Sequence, residues 1–255
     1  MLDQILEVTR ARVKSLRPQA SELVAAASNV SPALDFGAAL RQPPLSVIAE
    51  IKRRSPSRGQ LAPGLNPGQQ AKQYEGGGAS AISVLTEPEF FGGSAADLQS
   101  VKRSVGVPVL RKDFILDELQ IIESKAMGAD ALLLIAAAMD VQRLTRLLGL
   151  TLEVGLQALV EAHDAKEVDQ ARSAGATIIG VNNRNLSTFG VDLATAEDLA
   201  GMLADVDITV GESGIHNAED AGRMADAGYD AVLVGESLVR SPDPAGLIRE
   251  LRDAR

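Results

Sequence analysis

One phrase recurs four times along the chain: the end of an amphipathic stretch, a glycine, a small residue and then an apolar run. It reads EGGGASAISVLT, AMGADALLLIA, SAGATIIGVNN and DAGYDAVLVGES. The glycines Gly78, Gly128, Gly175 and Gly228 stand 50, 47 and 53 residues apart. One βα unit of an eight-fold barrel takes about 25–30 residues, so the period spans two units. The units between read VIAEI (47–51), VPVLRKD (107–113), LQALVEA (156–162) and DITVGES (207–213). That makes eight short apolar runs without steady alternation, as parallel strands buried on both faces require. Amphipathic stretches separate them, among them Asp117–Met127, Asp164–Ser173 and Asn217–Ala227. Asp117, Asp164 and Asn217 stand where N-caps belong, and the repeat glycines fit left-handed C-caps. The pattern predicts an α/β fold, a (β/α)8 TIM barrel with an N-terminal helical extension. An eight-stranded doubly wound sheet is the alternative. Residues 1–46 are expected to cap one end of the barrel and residues 47–255 to form it, all as a single domain.

Composition narrows the chemistry. The 255 residues contain no cysteine and two histidines, His163 and His216. Disulfides, thiolate ligands, a cysteine nucleophile and a histidine-rich metal cluster are thereby excluded. The formal net charge of −9 disfavours nucleic acid and anionic membranes as partners. No apolar run approaches the roughly 20 residues of a membrane span. The N-terminus has helical apolar spacing rather than the pattern of a signal peptide, so a cytoplasmic location is expected.

Barrel enzymes carry their sites at the C-terminal ends of the strands. Cations gather at those positions on this acidic chain: Lys52, Arg53, Arg54, Arg58, Arg111, Lys112 and Arg184. A positive cleft on a negative body points to a small anionic substrate. Four of the five phenylalanines, Phe90, Phe91, Phe114 and Phe189, fall in loops at the same end. They either line a pocket for a flat ring or plug the barrel top. GESGI after strand 7 and VGESL after strand 8 put Ser213, Gly214, Gly235 and Glu236 where backbone N–H groups converge on a phosphate. The glycines alone would also serve tight turns. Glu50 and Lys52 alternate about Ile51 and face one side of strand 1, as a working pair or as a structural ion pair. The loop Arg53–Asn66 has the Pro- and Gly-rich character of a lid. His163 and His216 read as helix-start or surface residues.

Taken together, AEIKRRSPSRG (49–59), SVLTEPEFFGGS (83–94), PVLRKDFI (108–115), ALVEAH (158–163), GVNNRNL (180–186), GESGI (211–215) and VGESLVR (234–240) resemble the indole-3-glycerol-phosphate synthase family. The motifs stand in family order from about residue 45 to 240. The resemblance implies a small-molecule aromatic sugar phosphate as substrate, 1-(2-carboxyphenylamino)-1-deoxyribulose 5-phosphate. Its ring is closed with loss of carbon dioxide and water to give indole-3-glycerol phosphate, on the way to tryptophan. No cofactor or metal is implied.

The same resemblance assigns Lys112 as the first acid, with its pKa lowered by a crowded cationic cleft. It leaves Glu50, Lys52 and Glu161 for the later proton transfers. It sets Arg184 and Asn182 at the benzoate carboxylate, helped by Ser55. Pro56, Phe91, Phe114, Leu133, Leu186 and Leu233 would form the ring pocket. Ser213, Gly214, Gly235 and Glu236 would hold the phosphate, and Glu212 is a further substrate-binding residue. Two rivals are a noncatalytic sugar-phosphate-binding barrel and a phosphoribosylanthranilate isomerase. As a family the latter uses a cysteine base, which this chain lacks. The sequence carries no signal for oligomeric state.

Overall fold

The computed structural model describes residues 2–42, 44–56, 59–185 and 188–254. Eight parallel strands close on themselves: β1 Ser46–Ile51, β2 Ala81–Leu85, β3 Val109–Lys112, β4 Ala131–Ile135, β5 Gln157–Ala162, β6 Ile178–Asn182, β7 Ile208–Glu212 and β8 Ala231–Val234. Each pairs with the next, and β8 pairs with β1. The expected (β/α)8 barrel is therefore the observed one, with every predicted strand at its predicted place.

The helices start and stop for local reasons. Asp117, Asp140, Asp164 and Asn217 are N-caps whose side chains accept backbone N–H bonds from the first turn, each worth about 1 kcal/mol. Gly78, Gly128, Gly175 and Gly228 adopt positive φ just past the helix ends, where a Cβ is disfavoured. No helix among the described residues is long and apolar enough to cross a membrane.

Strand alternation sorts the core into two parts. Val47, Ala49, Val160, Ala162, Ile179 and Val232 point outward and pack under the helices. Ile48, Leu110, Leu133, Leu159, Val210 and Leu233 point inward and fill the barrel. Inward residues of alternate strands lie at one height, as barrel geometry dictates. The register fixes which these are. Glu50 pairs with Ser83, Ser83 with Leu110, and two residues on comes Lys112. The same step leads on to Glu161, then Glu212, and back to Glu50. Above the apolar layers, four charged side chains from β1, β3, β5 and β7 thus share one layer.

The N-terminal extension reaches both ends of the barrel rather than the one expected. Helix α1 (Leu2–Leu16) lies across the C-terminal mouth, with Leu2 and Ile5 facing the cavity there and Arg12 bound to Asp113 at 2.7 Å. Helix α2 (Ala20–Ser28) runs beside helix α6 (Glu118–Met127) down the flank. Helix α3 (Phe36–Leu40) closes the floor, where Phe36 and Leu40 are fully buried against the interior layers. Phe36→Ala should open a cavity that the closed strands cannot collapse into. We expect a loss of about 3–5 kcal/mol of unfolding free energy, read by urea titration.

Candidate active site

A single cavity at the C-terminal mouth collects the expected residues. It is lined by Glu50, Lys52, Ser55, Pro56, Phe91, Lys112, Phe114, Leu133, Glu161, Asn182, Arg184, Glu212, Ser213, Gly214, Leu233, Gly235 and Glu236. Leu186 and Arg58 lie outside the described residues.

The charged layer forms its floor. Lys112 Nζ donates to Glu161 Oε2 at 2.9 Å and to Glu212 Oε2 at 2.7 Å. Lys52 Nζ stands 2.6 Å from Glu50 Oε1, so the alternating pair of β1 is an ion pair that also faces the cavity. Two glycines leave space for these carboxylates. A Cβ at Gly180 would collide with Glu212 Oε1, and one at Gly235 would meet Glu50 Oε1 at 2.5 Å.

This electrostatic picture differs from the expected cationic cleft. Arg111 is 2% exposed and points outward from β3, bound to Asp113, Glu123, Ser124 and the Gln120 carbonyl. Arg53 is held by Asp97 and the Leu65 carbonyl, and Arg54 lies beside Gly92. Of the predicted cations among the described residues, only Lys52, Lys112 and Arg184 line the cavity, among four glutamates. Alternation explains the error for β3, since Arg111 and Lys112 must face opposite ways.

The pKa of Lys112 accordingly goes the other way. Burial works against its charge, but Glu161, Glu212 and Glu50 more than offset this, and the pKa is raised. Burial pushes Glu161 up, yet Lys112 and His163 hold it well below the ordinary carboxylate range. For Glu212 burial wins, reinforced by the charge of Glu161, and its pKa is pushed up to about 7.

The upper walls come from loops. Phe91 and Phe114 stand with ring centres 6.2 Å apart, tilted by 35°. Phe90 stays out of the cavity; its backbone N–H, with those of Glu89 and Phe91, binds the buried carboxylate of Glu87. Phe189 enters the cavity from the loop after β6, with φ at +61°. That loop is pinned by Arg184 Nη1 donating to the Phe189 carbonyl and Asn185 N–H donating to Gly190. Asn182 faces inward and accepts from the Arg184 N–H, whereas Asn183 faces outward and donates to the Ser213 carbonyl. Ser213 and Gly214 follow each other at φ +62° and +86°, a run that turns successive N–H groups to one side. The Glu236 carboxylate sits 3.4 Å from Arg240, one turn along helix α11 (Glu236–Arg240). The segment expected as a lid contains a short ribbon, Arg54–Ser55 against Gly59–Gln60.

The chain matches the family model described as indole-3-glycerol phosphate synthase over residues 2–251. The chain belongs to the indole-3-glycerol phosphate synthase family. Its relatives include indole-3-glycerol phosphate synthase 2 of Streptomyces coelicolor, 50% identical over 94% of this chain and 93% of the relative. The synthase of Mycobacterium ulcerans is 48% identical over 98% and 93%. That of Chloroherpeton thalassium is 47% identical over 94% and 95%. In fold alone the chain also resembles thiamine phosphate pyrophosphorylase from Pyrococcus furiosus, with a TM-score of 0.62 at 15% identity over 86% of this chain and 97% of that one.

Several cavity residues escaped sequence reading, among them Leu2, Ile5 and Ile135, and His216, read as a helix-start or surface residue, also lines the cavity. Helical spacing marks the apolar face of α1 but not what it covers. His216 Nδ1 lies 2.8 Å from Ser237 Oγ. His163 is no surface residue, because its side chain is 9% exposed between Glu161 and Glu167.

Removing the shared cation tests the charged layer. Lys112→Met leaves the buried Glu212 carboxylate without a cation and Glu161 with His163 alone, so unfolding free energy at about pH 8 should fall by about 3–5 kcal/mol. Glu212, already raised in pKa by burial, is raised further without Lys112. Its protonated form then favours folding, and the deficit should shrink as pH falls toward about 5. Urea titrations at the two pH values read this directly; a deficit equal at both would contradict it.

Proposed function

We propose that the chain catalyses the ring closure of 1-(2-carboxyphenylamino)-1-deoxyribulose 5-phosphate to indole-3-glycerol phosphate, releasing carbon dioxide and water. The observation that carries this reading is the meeting of a proton-loaded lysine, Lys112, with an aromatic wall, Phe91 and Phe114, in one closed mouth. Family membership supports the same reaction. The reading has the enzyme act in the cytoplasm.

The substrate has three parts with different needs. The phosphate suits the N–H groups around Ser213, Gly214, Gly235 and Glu236, which line the cavity from the loops after β7 and β8. The benzoate carboxylate suits Arg184, whose planar guanidinium binds such a group in two places, with Asn182 and Ser55 beside it. The ring suits Phe91, Phe114, Pro56, Leu133 and Leu233.

Closure begins when the aryl carbon bearing the carboxylate attacks the ketone carbon. A C–C bond forms and the carbonyl oxygen takes a proton from Lys112. The two carboxylates around Lys112 favour its ammonium form, so the donor is charged before substrate arrives. The carboxylate then leaves as carbon dioxide, and its bonding electrons restore the ring. The new hydroxyl must next be protonated and leave as water, while the nitrogen and ring lose their extra charge. Glu161, an anion beside Lys112, suits the cation developing at the anilino nitrogen. Glu50 and Lys52, paired and facing the same space, suit the dehydration. Glu212 accepts from Lys112 and with its pKa near 7 suits returning the proton that Lys112 gives away.

A noncatalytic sugar-phosphate-binding barrel would keep the phosphate end without needing a buried lysine between two glutamates. Incubation of the purified chain with the carboxyphenylamino-deoxyribulose phosphate should yield indole fluorescence. Lys112→Met, checked for folding by circular dichroism, should lower kcat by about 100-fold or more while the substrate still binds. Folded wild-type protein that binds substrate and forms no indole product would favour the binding barrel.

A further inference from the structure

Beside the charged layer, the mechanism above leaves the buried imidazole of His163 without a task. His163 follows β5 by one residue, and its ring is wedged between two carboxylates. Nε2 lies 3.3 Å from Glu161 Oε1, and Nδ1 lies 2.9 Å from Glu167 Oε2. Glu167 is fixed in turn: it also accepts the backbone N–H of His163 at 2.9 Å, and its own N–H is capped by Asp164 in helix α8 (Ala165–Ser173). A neutral imidazole has one N–H and one lone pair. Between two carboxylate oxygens it would satisfy one side and set its lone pair against the other. An imidazolium carries a proton on each nitrogen: at Nδ1 it is hydrogen-bonded to Glu167, and at Nε2, which makes no hydrogen bond of its own, it sets its charge 3.3 Å from Glu161.

We propose that His163 is a positioning residue: its imidazolium, gripped by Glu167, fixes Glu161 as a carboxylate turned toward Lys112. The assignment rests on the reading of Glu161 as a proton-transfer group. Of the charged groups on the two elements that hold the ring, Glu161 from β5 and Glu167 from α8 are the ones in contact with it, with Asp164 exposed between them. The turn opposite α8, Ala136–Ala138 and Met139, carries no charge and receives the Gln170 amide on its carbonyls. On the far side of Glu161 stand Lys112 and, beyond it, Glu212. Burial alone would lower the pKa of His163, but its two carboxylate partners raise it to about 10.

His163 also balances the layer. Lys112 carries one positive charge against Glu161 and Glu212 together. A second cation on Glu161 lets that carboxylate stay ionised although it is buried.

Two measurements test the proposal. Only two histidines exist, so nitrogen-15 NMR of the full chain, assigned with His216→Asn, reads His163 directly. At about pH 8, where a free imidazole is neutral, both ring nitrogens of His163 should carry protons. A neutral tautomer there would overturn the proposal whether or not the protein makes indole product. The second measurement is the pH profile of His163→Gln and of Glu167→Gln. With Glu161 easier to protonate, the acidic limb of kcat/KM should move up by roughly one unit for His163→Gln and less for Glu167→Gln. kcat should fall severalfold at nearly constant KM. A profile superimposable on that of the wild type would overturn it too. If His163→Gln does not fold, the NMR result and the Glu167→Gln profile still decide.

Discussion

A layer of charge inside a β-barrel is the constraint on which this structure turns. In one inward-facing layer at the top of the barrel, β1, β3, β5 and β7 contribute Glu50, Lys112, Glu161 and Glu212. Ions so far from bulk water persist only when paired and hydrogen-bonded. The chain meets that need by arrangement. Lys112 is shared by two carboxylates, Glu50 is met by Lys52, and Glu161 has His163 behind it. The intervening strands supply the room, with Gly180 and Gly235 standing where a larger residue would strike Glu212 or Glu50. Ile48, Leu110, Leu159 and Val210 stand two residues before those charges on the same strands and pack together, which fixes the strands that fix the charges.

Strand β3 shows how tightly the two sides of the barrel are coupled. Arg111, Lys112 and Asp113 are consecutive, and alternation sends the first outward and the second inward. Arg111 ties β3 to helix α6 through Glu123, Ser124 and the Gln120 carbonyl. Asp113 gathers Arg111, Arg12 and the Thr86 hydroxyl, and its pKa is lowered by those two guanidinium groups against the effect of burial. One turn of chain thus joins the helix layer, the N-terminal helix and the cavity floor. Lys112 cannot shift without disturbing a buried network on the opposite face of its strand.

The strands, their order and most cavity residues were legible because each depends on local pattern: a glycine-punctuated repeat, apolar runs and polar residues at strand ends. Alternation about Ile51 correctly put Glu50 and Lys52 on one side. The same rule, applied to β3, separates Arg111 from Lys112, and the cluster of cations read along the chain overlooked it. What the sequence did not carry were distances across the barrel. That Glu161 and Glu212 flank Lys112, and so raise rather than lower its pKa, depends on strands 49 and 100 residues away. The reach of the N-terminal extension over both barrel ends was hidden for the same reason. Helical spacing marked the buried face of α1, with Ile5, Leu6 and Val13, but named no partner for it.

The division of labour between strands and loops follows from rigidity. Proton transfer tolerates little error in position, and the groups suited to it stand on hydrogen-bonded strands with partners on both sides. Recognition of a long, three-part substrate needs reach, and the groups suited to that stand on loops. Those loops carry two non-glycine residues at positive φ, Phe189 and Ser213, conformations that cost about 1–3 kcal/mol each. Both are held by neighbours of β6. Arg184 grips the Phe189 carbonyl and Asn183 grips the Ser213 carbonyl. The run Asn182, Asn183 and Arg184, whose first member accepts from the N–H of the third, therefore holds two strained loop positions from one strand terminus.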